Sequence, residues 1–198
     1  MAAKIIAFPV KTNVDLTESD RDVILLAADE MIHKRRGKEL LVQVLKGMRS
    51  ELVLESQGEK LRCFAMLAAC TLGEIDAKIE RMLEEDLLRV EWYGGRALLA
   101  HSPLGWERVK PLAASAIFSA LTRRASNGDT SGIYAEVGRY HREVKNLVLA
   151  RIDRESAQRL APLLRVWAER EESKAVRRRI QEVLQRLSAC ESPSSSPR

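Results

Sequence analysis

Apolar positions along the chain recur at helical spacing for most of its length and switch to strand-like alternation once. Val23, Ile24, Ala27, Ala28 and Met31 form a stripe behind Thr17-Glu18-Ser19-Asp20, a near capping box whose acids suit the positive helix end. Leu40, Leu41, Val44 and Leu45 predict a second helix, closed by Gly47, and a short third helix is expected at about 51–56. Leu72, Ile75, Ile79, Met82 and Leu83 predict a longer amphipathic helix over about 72–86. The period then changes. Leu87-Leu88-Arg89-Val90-Glu91 and Arg96-Ala97-Leu98-Leu99-Ala100 each fit a short strand. Trp92-Tyr93-Gly94-Gly95 joins them, and the Gly pair supplies the positive φ angles of a tight hairpin turn. Alternation puts Trp92 and Tyr93 on opposite faces, so one ring is expected inward and the other, Tyr93 nearer the turn, outward.

The hairpin is followed by two predicted helices, 104–110 with Trp106 and Val109 packing inward, and 111–126. Ser126-Asn127-Gly128-Asp129-Thr130-Ser131-Gly132 reads as a linker. Beyond it, Ile133, Val137, Tyr140, Val144 and Leu147 keep coiled-coil spacing for barely two heptads. Leu160, Leu163, Leu164 and Trp167 form a second stripe, with Pro162 bending or restarting its helix; Val176, Ile180, Val183, Leu184 and Leu187 form a third. The expected organisation is an extended segment at 1–16, a folded domain at 17–126, a helical extension at 133–189 and a disordered, Ser/Pro-rich tail at 190–198. The fold class is mainly α with a small β-hairpin. Helices leading into a helix joined to a hairpin read as a winged helix, with the hairpin as the wing.

Charge changes the picture in two places. The net charge of +5 permits nucleic-acid binding without demanding it. His33-Lys34-Arg35-Arg36 either touches DNA or complements the negative end of the first helix. The helix before the hairpin, which would be the recognition helix of an ordinary repressor, carries six acids against Lys78 and Arg81 between positions 71 and 86. Burying it in a DNA groove would meet repulsion. Downstream, Arg177-Arg178-Arg179 is either a phosphate contact or a solvated helix face.

Candidate chemistry narrows the classes further. Cys63, Cys70 and Cys190 form no Cys-x-x-Cys pair, so neither a disulfide framework nor a zinc ribbon is indicated. Arg36-Gly37-Lys38-Glu39 echoes the end of a P-loop, but Glu stands where a Mg-binding Ser or Thr belongs. The three histidines are scattered. No catalytic constellation, metal or cofactor is expected, and the protein is read as a non-enzyme. No apolar run is long enough to span a bilayer, and the first ten residues lack the apolar core of a signal peptide. A cytoplasmic, nucleoid-associated bacterial protein is expected.

Residues 37–50, the helix after Glu59, the run from Ile79 to Leu88 and the closing Ser102-Pro103-Leu104-Gly105-Trp106 resemble the RQC domain, the winged helix C-terminal to the motor of RecQ-type helicases. The likeness covers about 37–110, with small stand-alone bacterial RQC-like (RQC-minor) DNA-binding proteins as the nearest type. It implies that the wing meets DNA, with Trp92 and Tyr93 where a wing aromatic stacks on the terminal base pair. It also implies that Arg49 and Ser50 contact backbone phosphate; from the residues alone, Ser50 reads as a helix N-cap before a phosphate contact. Phe64-Ala65 stands where the family often has Tyr-Gly, which leaves the following loop's conformation open. The zinc module and motor of the helicases are not in this sequence.

The resulting expectation is non-catalytic binding to DNA ends, forks or junctions. Lys34, Arg35, Arg36, Lys38, Arg49, Ser50 and Arg96 would hold the backbone while Trp92 and Tyr93 stack. Two rivals stand beside it. One is a dimeric winged-helix regulator, with residues 133–189 as the dimer surface. The other is an adaptor that docks a helicase or nuclease.

Overall fold

The computed structural model describes residues 14–32 and 37–189. The expected extended segment falls largely, and the expected tail wholly, outside them. The chain divides into two compact units, Met1–Val109 and Lys110–Arg198.

In the first unit the described elements are α1 (Glu18–Ile32), α2 (Lys38–Lys46), α3 (Glu51–Glu55), α4 (Leu72–Glu84), β1 (Leu88–Tyr93) and β2 (Arg96–His101), followed by the start of α5 (Pro103–Ser126). Thr17 and Asp20 cap α1 reciprocally: the Asp20 N–H donates to the Thr17 hydroxyl at 3.1 Å, and the Thr17 N–H to the Asp20 carboxylate at 3.0 Å. Thr71 and Glu74 form a full capping box on α4. Gly47, at φ 82°, ends α2 while Met48 N–H returns to the Gln43 carbonyl, a Schellman closure. Ile24, Leu25, Ala28 and Met31 of α1 meet Leu41, Val44 and Leu45 of α2 and Ile75, Ile79 and Met82 of α4 in one buried core. Leu88 and Leu99 carry the foot of the hairpin into it.

The loop left open by Phe64-Ala65 has a definite conformation. Residues 61–69 run as successive turns, not a helix, and Ala65 and Leu67 donate to the carbonyls of Val44 and Leu45 at 2.9 Å each. Ala65 takes φ 62°, the left-handed conformation in which glycine would be at ease. The loop thus keeps a glycine-type backbone with an alanine in it.

The second unit holds most of α5, then α6 (Ile133–Val137), α7 (Arg142–Arg154), α8 (Ala161–Arg170) and α9 (Lys174–Ala189). Four expectations are corrected here and at the junction. The helices expected at 104–110 and 111–126 are one, with Pro111 inside it; Val109, Ala113, Ala114 and Ile117 are buried on both sides of the proline, and that burial carries the helix through. The coiled-coil spacing from Ile133 to Leu147 does not form one seam. The chain breaks at 138–141, α7 restarts with the His141 side chain as N-cap, and Leu147 is exposed. The units divide within α5 and not at 126–132. That stretch is pinned by Arg124, which donates to Asp129 at 2.6 Å and to the Ser131 carbonyl at 2.8 Å. The apolar stripes of 133–189, the motive for a dimer, are buried in the single chain: Leu160, Leu163, Leu164, Trp167, Val176, Ile180, Val183 and Leu187. Pro162 lies in the first turn of α8 and restarts the helix as expected.

Glu171 closes this unit's interior. Its buried carboxylate accepts from Lys145 at 2.9 Å, from the Trp167 indole at 2.8 Å and from the Ser173 N–H at 3.1 Å. No described helix is long and apolar enough to cross a membrane.

Candidate nucleic-acid interface

β1 and β2 pair antiparallel, from Leu88 opposite His101 at the foot to Tyr93 opposite Arg96 at the tip. Gly94 and Gly95 turn the chain at φ 57° and 76°, the pair of positive angles that a two-residue hairpin with the right twist requires. A Cβ built on either glycine would meet nothing within 4 Å, so the tip stands in open space. β2 lies against α1, and half-buried His101, its side chain largely covered, brings its Nε2 to 3.7 Å from Asp29. From Arg89 onward every residue of β1 is exposed.

The expectation that one tip aromatic turns inward is therefore corrected. Trp92 is 75% exposed and Tyr93 65%. The alternation is real, but it sorts residues between core and solvent only at the foot, where Leu88 and Leu99 meet the helices. Further out, from Arg89 to Ala97, every residue of the hairpin is exposed among the described residues, so neither face receives an inward ring there. Val90, 45% exposed on the same face as Trp92, extends the apolar surface toward the foot. The i, i+2 spacing of Leu88, Val90 and Trp92 carried that signal unread.

The cationic residues are placed less uniformly. Lys34, Arg35 and Arg36 lie outside the described residues. Gly37, next in the chain, packs so closely on β2 that an added Cβ would sit 2.9 Å from the Ala97 carbonyl oxygen. Lys38 pairs with Asp76 at 2.8 Å and with Glu80. Burial opposes its charge, but the two carboxylates outweigh it and hold the ammonium above its usual pKa. Arg49 is exposed and has no hydrogen-bond or ion-pair partner among the described residues. Ser50 caps α3, accepting the Val53 N–H at 3.3 Å and donating to the Gln43 side chain. Arg96, exposed and likewise unpaired among the described residues, edges a hollow of about 170 Å³ together with Gly37, Leu52 and Leu98. The structure thus gathers Trp92, Tyr93 and Arg96 at the wing tip, puts Arg49 and Ser50 at the start of α3, and ties Lys38 to α4.

α4 presents acid outward. Its cations turn inward: Lys78 reaches Asp20 at 2.7 Å, and Arg81 reaches the Val14 carbonyl at 2.9 Å. Arg21 grips Glu85 through two 2.8 Å bonds, which hold that carboxyl below its usual pKa. Glu74, Glu80, Glu84 and Asp86 stay exposed. A groove-reading role for this helix would set those carboxylates against phosphate. Among the described residues no group of three His, Cys, Asp or Glu side chains could hold a metal ion.

A helical core, an amphipathic helix and an antiparallel wing in this order define a winged helix of the nucleic-acid-binding type. Residues 11–111, about half the chain, match the family model of the RQC domain, and the chain belongs to that family. The match begins ahead of the stretch that carried the resemblance and takes in α1. Neither the curated proteins nor the solved structures include a significant match to the chain.

Proposed function

We propose that the protein is a non-catalytic DNA-binding protein that engages duplex ends, forks or junctions with its wing. The observation that carries the reading is the pair of exposed rings, Trp92 and Tyr93, on a tip with open space around it. An exposed terminal base pair offers a ring the flat face that an intact duplex hides. Stacking is worth about 1–3 kcal/mol per base, comparable to the cost of opening one terminal pair. Arg49 and Arg96 would hold backbone phosphates, joined by Lys34, Arg35 and Arg36 from the basic run in the sequence. The acidic face of α4 favours a wing-led approach. On its own such a wing would trap a frayed end and would not drive unwinding. Nucleoid association and kinship with the stand-alone RQC-minor type are parts of this reading, as is delivery of the DNA to a helicase or nuclease.

The dimeric regulator is the weaker alternative, because its apolar stripes are already buried and its recognition helix is acidic. Fluorescence anisotropy with blunt duplex, forked duplex, single strand and a closed duplex circle tests the choice. Forked and blunt-ended DNA should bind more tightly than a closed duplex circle of similar length. Equal binding to all forms, or tight binding to one palindromic sequence only, would overturn the proposal.

A further inference from the structure

The charge of the chain is divided unevenly between its units. Residues 1–109 hold 16 Lys and Arg against 18 Asp and Glu, a net of −2. Residues 110–198 hold 17 against 10, a net of +7, and all but three of those 17 cations are arginine. The family's DNA-binding domain is thus the acidic half, and the helical unit is the basic half.

The arginine triplet conspicuous in the sequence does not supply the free charge. Arg177 donates to the Glu171 carbonyl at 3.1 Å, Arg178 pairs with Glu182 at 3.1 Å, and Arg179 reaches both Asp153 and Glu182. Arg154, Arg159 and Arg165 differ. All three are exposed, and none has a hydrogen-bond or ion-pair partner among the described residues. Arg154 ends α7, Arg159 lies in the single 3₁₀ turn Gln158–Leu160, and Arg165 follows on α8. Leu160, Leu163, Leu164 and Trp167 fill the buried stripe of that turn and helix, so Arg159 and Arg165 share the solvent side with Pro162. The intervening acid, Glu155, is already engaged by Arg151 at 2.8 Å. Glu169, the next exposed acid on α8, lies a turn beyond Arg165.

This corner has charge without apolar anchors. Leu147 is the one large exposed hydrophobic in the described part of the unit. A protein-docking patch has an apolar core, and a membrane-binding helix needs apolar side chains to insert. Spaced guanidinium groups on a polar surface instead suit the phosphates of a nucleic-acid backbone, which arginine binds in bidentate fashion.

We propose that the α7–α8 corner, through Arg154, Arg159 and Arg165, is a second, sequence-independent contact for the DNA backbone. The inference rests on the DNA-binding reading of the wing domain and adds to it a separate surface that supplies electrostatic affinity.

The test uses the full chain. R154Q/R159Q/R165Q and the charge-keeping R154K/R159K/R165K are compared with wild type on one forked DNA over a range of salt, with circular dichroism to confirm the fold. The glutamine variant should bind at least about tenfold more weakly in moderate salt, and its log K against log salt slope should flatten by about 0.9 for each phosphate released. The lysine variant should keep the wild-type slope. Wild-type binding with an unchanged slope in the glutamine variant overturns this inference and leaves the wing reading standing. No DNA binding by wild type overturns both. If the glutamine variant is misfolded, the lysine variant decides with a second measure: DNA protection of the three lysines from acetylation supports the contact, and equal acetylation with and without DNA overturns it.

Discussion

The two units use the same kinds of side chain in opposite ways. In Met1–Val109 arginine and lysine are drawn into ties between elements, Arg21 to Glu85, Lys78 to Asp20 and Arg108 to Asp22, while the wing tip leaves Trp92 and Tyr93 in solvent. In Lys110–Arg198 the aromatics Phe118, Tyr140 and Trp167 are buried, and arginines remain on the surface. Among the described residues the first unit exposes two large rings at the wing tip, and the second exposes arginines but no tryptophan or phenylalanine. Membership of a DNA-binding family therefore does not locate the electrostatic affinity, and a basic surface does not locate selectivity.

The second unit can be perturbed on its own from its interior. Glu171→Ala would leave the Lys145 ammonium buried without its partner and cost about 3–5 kcal/mol. In native-state hydrogen exchange the amides of α7 to α9 should lose protection while those of α1 and α4 keep theirs. Equal loss in both units would show that they unfold together.

Acid should act on the same node. Burial opposes the charge of Glu171, but Lys145, Trp167 and the Ser173 N–H outweigh it, so its carboxyl sits below the ordinary value of 4.5. The folded state then holds fewer protons than the unfolded state. The stability this contributes is complete above 4.5 and is lost as pH falls through the lowered folded value. Lys145→Met removes the main partner and should flatten the second unit's acid dependence, measured by denaturant melts at several pH values.

A smaller effect is expected at the start of α3. Arg49→Ala should weaken binding to every form of DNA by a similar factor and reduce the salt slope by about 0.9, because a phosphate contact carries no preference for ends. The smallest concerns stability alone. Ala65→Gly relieves a left-handed alanine and should stabilise the first unit by about 1 kcal/mol, with DNA affinity unchanged. Thermal melts and the same anisotropy assay check both parts.

What was legible in the sequence was local. Thr17 with Asp20 marked the start of α1, Gly47 the end of α2, and Gly94-Gly95 between alternating residues the wing; each signal acts within a few positions of the chain. The rest depended on distant partners. Lys38 sits in a basic run, yet its charge is held by Glu80, 42 positions away. The turn at 126–132 has a linker's composition, but Arg124 fastens it. Arg177 to Arg179 looked like a basic cluster, whereas Asp153, Glu182 and the Glu171 carbonyl engage it. At the tip, strand alternation predicted one inward ring, whereas both rings are exposed beyond the helical layer that covers the foot of the hairpin.

On the proposed reading, the wing rings would confer a preference for ends and forks. The deciding measurement is the binding of W92A/Y93A to forked, blunt-ended and closed circular duplex. Both rings are exposed, so the fold should be little affected, within about 0.5 kcal/mol per substitution. Binding to forked and blunt-ended DNA should weaken by the roughly 1–3 kcal/mol of a stacked base, while the circle, bound by charge alone, should hold its wild-type affinity. Unchanged fork and end binding in the double variant, or an equal loss on all three forms, would contradict the account.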